Sequence, residues 1–113
     1  MLKIALSGCS GRMGRVIADI VASRNTMQIV AGFDVNTAKY ADFPVFSDPF
    51  ECTLDCDVII DFSNASSTEH LLAYCEKHHL PVVICTTGHT GEQLDRIRSA
   101  AAKIPVFRSG NMS

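Results

Sequence analysis

The sequence lacks the features that mark several classes of protein. Its 10 Lys and Arg residues are outnumbered by 12 Asp and Glu residues, so no basic surface for nucleic acid is indicated. No apolar run approaches the roughly 20 residues needed to span a bilayer. The N-terminus also lacks the cationic start and long apolar segment of a signal peptide. We therefore expect a cytoplasmic protein whose partners include neither nucleic acid nor a membrane.

A metal-binding pattern is also missing. The five cysteines are scattered through apolar segments, which is typical of reduced and mostly buried thiols. Cys52 and Cys56 lie four positions apart, but no second pair and no nearby histidine completes a zinc site. No nucleophile is paired with a candidate base either, so we assign neither a metal ligand nor a catalytic residue.

What the sequence does have is the length of one domain, 47% hydrophobic residues and a regular alternation of strand and helix patterns. Strands are predicted at residues 2–6, 27–33, 43–46, 58–62, 81–85 and 105–107. Helices are predicted at residues 11–23, after a capping box at residues 66–69, and after a second capping box at residues 90–93. This alternation predicts an α/β fold over residues 1–113, a Rossmann-like, doubly wound parallel sheet with helices on both faces.

Helical spacing also predicts which side chains each helix buries. For the first helix these are Met13, Ile17, Ile20 and Val21. For the second helix they are Thr68, Leu71, Leu72 and Cys75. For the third helix they are Leu94, Ile97 and Ala101.

A glycine-rich turn between the first strand and the first helix has the arrangement that holds a phosphate. Its residues are Gly8, Cys9, Ser10, Gly11, Arg12, Met13 and Gly14. Glycine lets the backbone bend tightly and approach an anion, and the helix directs its N–H groups and positive dipole end to the same place. Because these spaced glycines lie between a predicted strand and a predicted helix, we interpret the turn as half of a dinucleotide site. Arg12 is placed to contact the pyrophosphate, the adenine ribose or only solvent.

Asp34 closes the second predicted strand, 20 residues after Gly14. A carboxylate at this position of a dinucleotide site accepts hydrogen bonds from the hydroxyls of the adenosine ribose. It also repels a 2′-phosphate, and no arginine follows it, since the next residues are Val35 and Asn36. Lys39 is the nearest cation further along the chain. We therefore predict that NADH is accepted at least as well as NADPH.

The strand order of a doubly wound sheet reverses between its first and fourth strands, and ligands bind at the carboxyl ends of the strands there. This topology places three more segments beside the glycine loop. They are Phe62 with Ser63, then Cys85, Thr86 and Thr87, and near the end of the chain Asn111. The hydroxyls and backbone of the middle segment are placed to meet the nicotinamide ribose and carboxamide.

The titratable residues near these segments are interpreted as structural. Asp61 lies within a buried strand and is expected to bond to a loop, whereas Asp57 lies at the opposite edge of the sheet. His89 is nearest to the crevice, but it has no partner that would orient it as an acid or base. His70 is interpreted as a solvated helix residue.

Together these motifs resemble the 4-hydroxy-tetrahydrodipicolinate reductase family, also called dihydrodipicolinate reductase. The resemblance covers the whole chain and is carried, in order and spacing, by residues 8–14, 61–63, 86–88 and 111–113. It implies a cytoplasmic, usually homotetrameric enzyme that uses NADH or NADPH. Its implied substrate is a cyclic imine dicarboxylate of the diaminopimelate route to lysine.

The resemblance also assigns residues to the cofactor. Those implied to hold the pyrophosphate are Gly8, Cys9, Ser10, Gly11, Arg12 and Met13. Asp34 corresponds to the acid that binds the ribose. Those implied to lie beside the nicotinamide are Cys85, Thr86 and Thr87, together with Ser109, Gly110, Asn111 and Met112.

The sequence departs from the family pattern in several places. Cys85 stands where glycine is common, Met112 where phenylalanine is frequent, and the basic residue that often follows the ribose-binding acid is missing. The family's substrate domain carries a paired-histidine motif with a lysine and a Ser-Gly-Thr segment, none of which occurs in residues 1–113. We therefore expect the chain alone to bind NAD(P)H weakly and not to turn over substrate. In the family the nucleotide domain is completed by residues from the far C-terminus, so we also expect part of the sheet to be uncovered.

Two other interpretations stay open from the sequence. One is the nucleotide domain of a different two-domain dehydrogenase, of the aspartate or homoserine type. The other is a non-enzymatic module that senses NAD(P) by reversible binding.

Overall fold

The computed structural model describes residues 1–109, and its elements follow the predicted alternation. The strands within this range are β1 (Leu2–Ser7), β2 (Met27–Phe33), β3 (Val45–Phe46), β4 (Val58–Asp61), β5 (Val82–Ile84) and β6 (Val106–Arg108). The α-helices are α1 (Arg12–Ala22), α2 (Thr68–His78) and α3 (Gly91–Ala101). Two short 3-10 helices, Pro49–Glu51 and Ala65–Ser67, precede β4 and α2.

The strands form one parallel sheet in the order β3-β2-β1-β4-β5-β6. The order reverses between β1 and β4, so the chain winds outward from the centre in both directions. This confirms the predicted doubly wound fold, and it places the crevice at the carboxyl ends of these two strands.

Two apolar cores cover the two faces of the sheet. Successive side chains of β1 point to opposite faces. Ile4 and Leu6 therefore pack with Ala18 and Val21 of α1, and Ala5 packs in the cluster formed with α2 and α3. The predicted layers on both faces are confirmed, and the carboxyl edge of the sheet is left free for a site.

The buried face of α1 differs from the prediction. The helix buries Gly14, Ala18 and Val21, while Met13 and Ile20 are 47% and 44% exposed. The cause lies at Gly14, where a Cβ would stand only 2.7 Å from Cα of Cys9. The helix thus rests its backbone on the glycine loop, and this contact sets its rotation about its axis. The expectation that Met13 and Ile20 are buried is wrong.

One predicted capping box is confirmed and one is wrong. At α3 the Thr90 hydroxyl accepts from the Gln93 N–H at 3.1 Å, and the Gln93 side chain accepts from the Thr90 N–H at 2.8 Å. At α2 the Ser66 hydroxyl instead donates to the Asn64 side chain, and the helix begins at Thr68 without a side-chain cap. The 3-10 helix Ala65–Ser67 makes the turn into α2, so no cap is formed at residue 66.

The predicted apolar stripes of the other two helices are largely confirmed. In α2 the four expected residues are buried, and Tyr74 joins them. In α3 Ile97 is buried and Leu94 is half-buried, but Ala100 takes the buried position expected for Ala101.

The cysteines are free thiols, and Cys9 and Cys75 are buried. Burial raises the pKa of Cys56 to about 11 and that of Cys75 to about 12, so both thiols stay protonated near neutral pH. Within residues 1–109, no group of three or more His, Cys, Asp or Glu side chains is arranged to hold a metal ion. In the same range, no helix is both long and apolar enough to cross a membrane.

Candidate functional site

The glycine loop folds back tightly at the carboxyl end of β1. Gly8 has a φ of 81° and donates its N–H to the Phe33 carbonyl at 2.8 Å. A Cβ at Gly8 would lie 2.6 Å from the carbonyl carbon of Phe62 and 2.8 Å from the Ser63 nitrogen. Glycine is therefore required here both for the backbone conformation and for the close approach of the loop to the end of β4.

The start of α1 is open for an anion. Its N-terminal cap residue is Gly11, which has no side chain that could cap the helix. The first N–H groups of a helix have no partner within the helix, and the dipole adds positive potential at the same place. Arg12 and Met13, in the first turn, are exposed. This geometry fits the predicted phosphate cradle.

Asp34 reaches from the end of β2 to the glycine loop. One carboxylate oxygen accepts the Ser10 N–H at 3.0 Å, and the other accepts the Asn36 N–H at 3.2 Å. The Ser10 hydroxyl donates to the Asn36 carbonyl at 2.8 Å. The carboxylate predicted to bind a ribose is thus brought beside the glycine loop, where a phosphate and its sugar would be neighbours.

Cys9 supports the loop from beneath. Its side chain is buried and packs against Gly32 and Phe43 of the α1-side core. Burial raises the pKa of its thiol. Its carbonyl accepts a hydrogen bond of 2.5 Å from the Tyr40 hydroxyl. Since the side chain points into the core, only the backbone of Cys9 can face a ligand.

Asp61 joins the turns that follow β4 and β5. It is fully buried, and it accepts from the N–H and hydroxyl of Ser63 at 3.1 and 2.6 Å and from the Thr86 hydroxyl at 2.9 Å. Its carbonyl accepts the Cys85 N–H at 2.9 Å. The expected structural role of Asp61 is confirmed, and it aligns two of the predicted cofactor segments.

The turn after β5 lies next to the end of β6. The Cys85 thiol is 3.1 Å from the Ser109 hydroxyl, and the Ser109 N–H donates to the Ile84 carbonyl at 3.1 Å. Thr87 is exposed, while the Thr86 hydroxyl is already engaged by Asp61. The predicted contacts of Gly110, Asn111 and Met112 lie outside the described residues.

A cavity of about 440 Å³ opens at the crevice between β1 and β4. This volume is within the range of small-molecule sites. The predicted residues that line it are Gly8, Gly11, Asp34, Phe62 and Ser63. The turn containing Cys85, Thr86 and Thr87 lies along the same sheet edge but does not line this cavity. The cavity therefore lies at the part of the site where the sequence predicts the adenosine, beside Asp34.

The remaining wall of the cavity was not predicted as part of the site. It is formed by Ser7, Phe33, Val35, Ser47, Pro49, Asn64, Ser66, Ser67, His70 and Leu71. The cluster of Asn and Ser residues directly after β4 is the signal that could have pointed to it, because polar residues at the carboxyl end of a strand beside the switch point face the crevice.

Two histidines have partners that the sequence did not indicate. His70 is exposed, as expected for a solvated helix residue, and its Nε2 lies 2.8 Å from the Asp48 carboxylate while its ring packs on Phe50. No partner that would orient His89 as an acid or base was expected, and its Nε2 lies 2.8 Å from the Thr68 hydroxyl. Burial and the charge of Arg108 lower the pKa of His89. Both pairings join residues more than 20 positions apart, which local spacing does not reveal.

The fold and this loop define a Rossmann-like nucleotide-binding domain. Residues 2–112 match the family model described as dihydrodipicolinate reductase, N-terminus. The chain belongs to this family and corresponds to its N-terminal part.

Individual relatives agree with this assignment. The chain is 43% identical over 113 residues to the 4-hydroxy-tetrahydrodipicolinate reductase of Clostridium tetani, covering 100% of the chain and 44% of the relative. It is 42% identical over 113 residues to the enzyme of the same name from Caldanaerobacter subterraneus, covering 100% and 45%. The chain thus spans less than half the length of these relatives.

Solved structures share the fold. A dipicolinate-bound dihydrodipicolinate reductase from Paenisporosarcina superposes with a TM-score of 0.75 at 26% identity, over 89% of this chain and 43% of the other. Homoserine dehydrogenase of Staphylococcus aureus superposes with a TM-score of 0.79 at 16% identity, over 96% and 32%. The latter shows the fold alone, so the comparisons favour the reductase family over the homoserine dehydrogenase alternative.

Proposed function

We propose that this chain is the NAD(P)H-binding part of a 4-hydroxy-tetrahydrodipicolinate reductase. The observation that carries the proposal is the hydrogen bond from the Ser10 N–H to the Asp34 carboxylate at 3.0 Å. This bond lies in a glycine loop that approaches the backbone of Phe62 and Ser63 so closely that there is no room for a Cβ at residue 8. A loop of this kind suits a pyrophosphate, and a carboxylate at its side suits a ribose diol. The residues present therefore fit a nicotinamide dinucleotide.

In this proposal the chain binds and orients while the cofactor supplies the hydride. Residues 8–13 at the start of α1 would hold the pyrophosphate, and the cavity lined by Asp34 would hold the adenosine. The turns held by Asp61 would border the nicotinamide. The substrate of the intact protein is a cyclic imine dicarboxylate, which accepts the hydride. The proton donor and the groups that grip the substrate belong to the remainder of the protein, so the isolated chain does not reduce substrate.

The cellular setting follows from the same proposal. A reductase of the diaminopimelate route to lysine works in the cytoplasm, and the intact enzyme is a homotetramer.

Phe107 of β6 pairs in register with Val83, which pairs with Ile60 on the α1 face. Phe107 is nevertheless 60% exposed. This uncovered apolar surface supports a domain that is completed by further parts of the protein.

Replacing Asp34 by alanine tests the ribose assignment. We expect the affinity for NADH to fall by about tenfold to a hundredfold, because hydrogen bonds to a charged group contribute about 1.5–3 kcal/mol. The measurement is an equilibrium titration followed by the fluorescence of NADH itself. Asp55→Ala is the matched control, since Asp55 is exposed on the loop before β4, at the opposite edge of the sheet. Unchanged NADH affinity in Asp34→Ala would show that the carboxylate does not bind the ribose.

A further inference from the structure

The structure holds an arginine against Ser10, the residue whose N–H donates to Asp34. Arg15 lies on the second turn of α1, and its Nε donates to the Ser10 carbonyl at 3.2 Å. Its guanidinium carbon stands 4.1 Å from the centroid of the Tyr40 ring. A cation over an aromatic face is attracted by the negative potential of that face. Two contacts therefore fix the position of the Arg15 side chain.

Tyr40 is itself fixed to the glycine loop. Its hydroxyl donates to the Cys9 carbonyl at 2.5 Å, and its ring packs edge-on against Phe43 at a centroid distance of 5.6 Å. Tyr40 therefore forms a support that holds the Arg15 guanidinium next to residues 9 and 10.

Ser10 connects this cation to the ribose-binding carboxylate. The Ser10 carbonyl accepts from Arg15, its N–H donates to Asp34, and its hydroxyl donates to the Asn36 carbonyl. The positive and negative groups are thus held on opposite sides of one residue. Within residues 1–109, Arg15 forms no ion pair with Asp34 or with any other carboxylate, and Nε is the one guanidinium nitrogen that donates a hydrogen bond. Its two terminal nitrogens are therefore available to an incoming anion.

This arrangement matters because the adenine ribose of NADPH carries a 2′-phosphate. A 2′-phosphate beside Asp34 meets like-charge repulsion, and an arginine nearby compensates for it. The planar guanidinium matches a phosphate with two parallel donors. Arg12 and Lys39 are also exposed cations near this place, but Arg15 alone of the three is held by both Ser10 and Tyr40.

We propose that Arg15, held in place by Ser10 and Tyr40, binds the 2′-phosphate of NADPH, so that this chain accepts NADPH in addition to NADH. The inference rests on the proposed function, because it assumes that the adenine ribose lies beside Asp34. Arg15 is then a specificity-determining residue, and Tyr40 is the residue that positions it.

The test compares NADPH and NADH titrations of the chain with those of Arg15→Gln. We expect the affinity for NADPH to fall about tenfold and the affinity for NADH to change less than twofold. 2′,5′-ADP and 5′-ADP repeat the comparison without the nicotinamide half, and only 2′,5′-ADP should lose affinity. Arg24→Gln is the matched control, because Arg24 is an exposed arginine just after the far end of α1, and it should leave all four affinities unchanged.

Two further measurements separate the effect of the Arg15 charge from an effect of Arg15 on the structure of the glycine loop. Raising the salt concentration screens exposed charges, so it should reduce the difference between wild type and Arg15→Gln for NADPH. Tyr40→Leu removes the ring beneath the guanidinium and should weaken NADPH several-fold more than NADH. Circular dichroism melting of each variant establishes that it is folded.

Equal losses for NADPH and NADH in Arg15→Gln would overturn the proposal, because Arg15 would then only stabilise the loop. So would an unchanged NADPH affinity, with Arg12→Gln and Lys39→Gln then identifying the cation that is used instead. A wild-type chain that binds NADH but not NADPH would refute this inference and leave the proposed function standing. A wild-type chain that binds neither dinucleotide would contradict the proposed function itself.

Discussion

Gly8→Ala is expected to abolish dinucleotide binding and to lower the free energy of unfolding by about 3 kcal/mol. The new Cβ would stand 2.6 Å from the Phe62 carbonyl carbon and 2.8 Å from the Ser63 nitrogen, both backbone atoms that cannot move alone. Overpacking a well-packed site costs roughly 1–3 kcal/mol, and the φ of 81° adds strain for any residue with a Cβ. The loop and the end of β4 would have to separate, which widens the phosphate cradle.

Urea unfolding and an NADH titration measure the two effects of Gly8→Ala. Gly91→Ala is the control, because a Cβ at Gly91 would meet nothing within 4 Å and the residue lies in the first turn of α3. That substitution should raise the free energy of unfolding by up to about 1 kcal/mol by restricting the unfolded chain, with NADH binding unaffected. If Gly8→Ala kept wild-type stability and affinity, the close approach of loop and strand would not be a requirement of the site.

Asp61→Ala should be the second most damaging substitution, with a loss of about 2–4 kcal/mol in the free energy of unfolding. The buried carboxylate accepts hydrogen bonds from Ser63 and Thr86. Thr86 is only 6% exposed, so its hydroxyl would lose its carboxylate acceptor in a place that water hardly reaches. An unsatisfied buried group costs about 1–3 kcal/mol, and the vacated space adds to the cost. Because the turns after β4 and β5 would then be joined only through the Asp61 backbone carbonyl, NADH affinity should fall more than tenfold.

Asp57 provides the comparison for Asp61, since Asp57 directly precedes β4 and Asp61 is the last residue of that strand. Asp57 is exposed and accepts one hydrogen bond, from the Lys3 N–H at 2.8 Å. Its replacement by alanine should cost less than about 1 kcal/mol, the usual scale for a single exposed hydrogen bond, and should not alter NADH affinity. Denaturant unfolding of both variants measures the two losses in the free energy of unfolding. Equal stability losses in Asp57→Ala and Asp61→Ala would mean that Asp61 does not join the two turns.

The elements of this site that the sequence predicts are those encoded locally. The glycine spacing, the acid at the end of β2 and the alternation of strands and helices each depend on neighbouring residues, and together they fix the doubly wound sheet. The capping box at Thr90 is local in the same way. These features were sufficient to place Gly8, Asp34 and Ser63 around one cavity.

The features that the sequence did not predict depend on tertiary contacts. The rotation of α1 is set by the contact of Gly14 with the loop backbone, so the apolar spacing of Met13 and Ile20 was a misleading guide. The pairing of Arg15 with Tyr40 joins residues 25 positions apart, and no periodicity signals such a contact. Chain order offers Arg12 and Lys39 as cations for the ribose, whereas the position of Arg15 against Ser10 and Tyr40 depends on the fold.

Mapping backbone amide chemical shifts of the 15N-labelled chain during an NADH titration tests the central claim most directly. We predict saturable shifts confined to the carboxyl edge of the sheet, at Gly8, Ser10, Gly11, Arg12, Asp34, Asn36, Ser63, Thr86 and Thr87. A second cavity of about 470 Å³ lies elsewhere, lined among others by Ala22, Met27 and Phe43, and serves as an internal comparison. Shifts confined to that second cavity, or no shifts at millimolar NADH, would contradict the assignment of this chain as the NAD(P)H-binding part of the reductase.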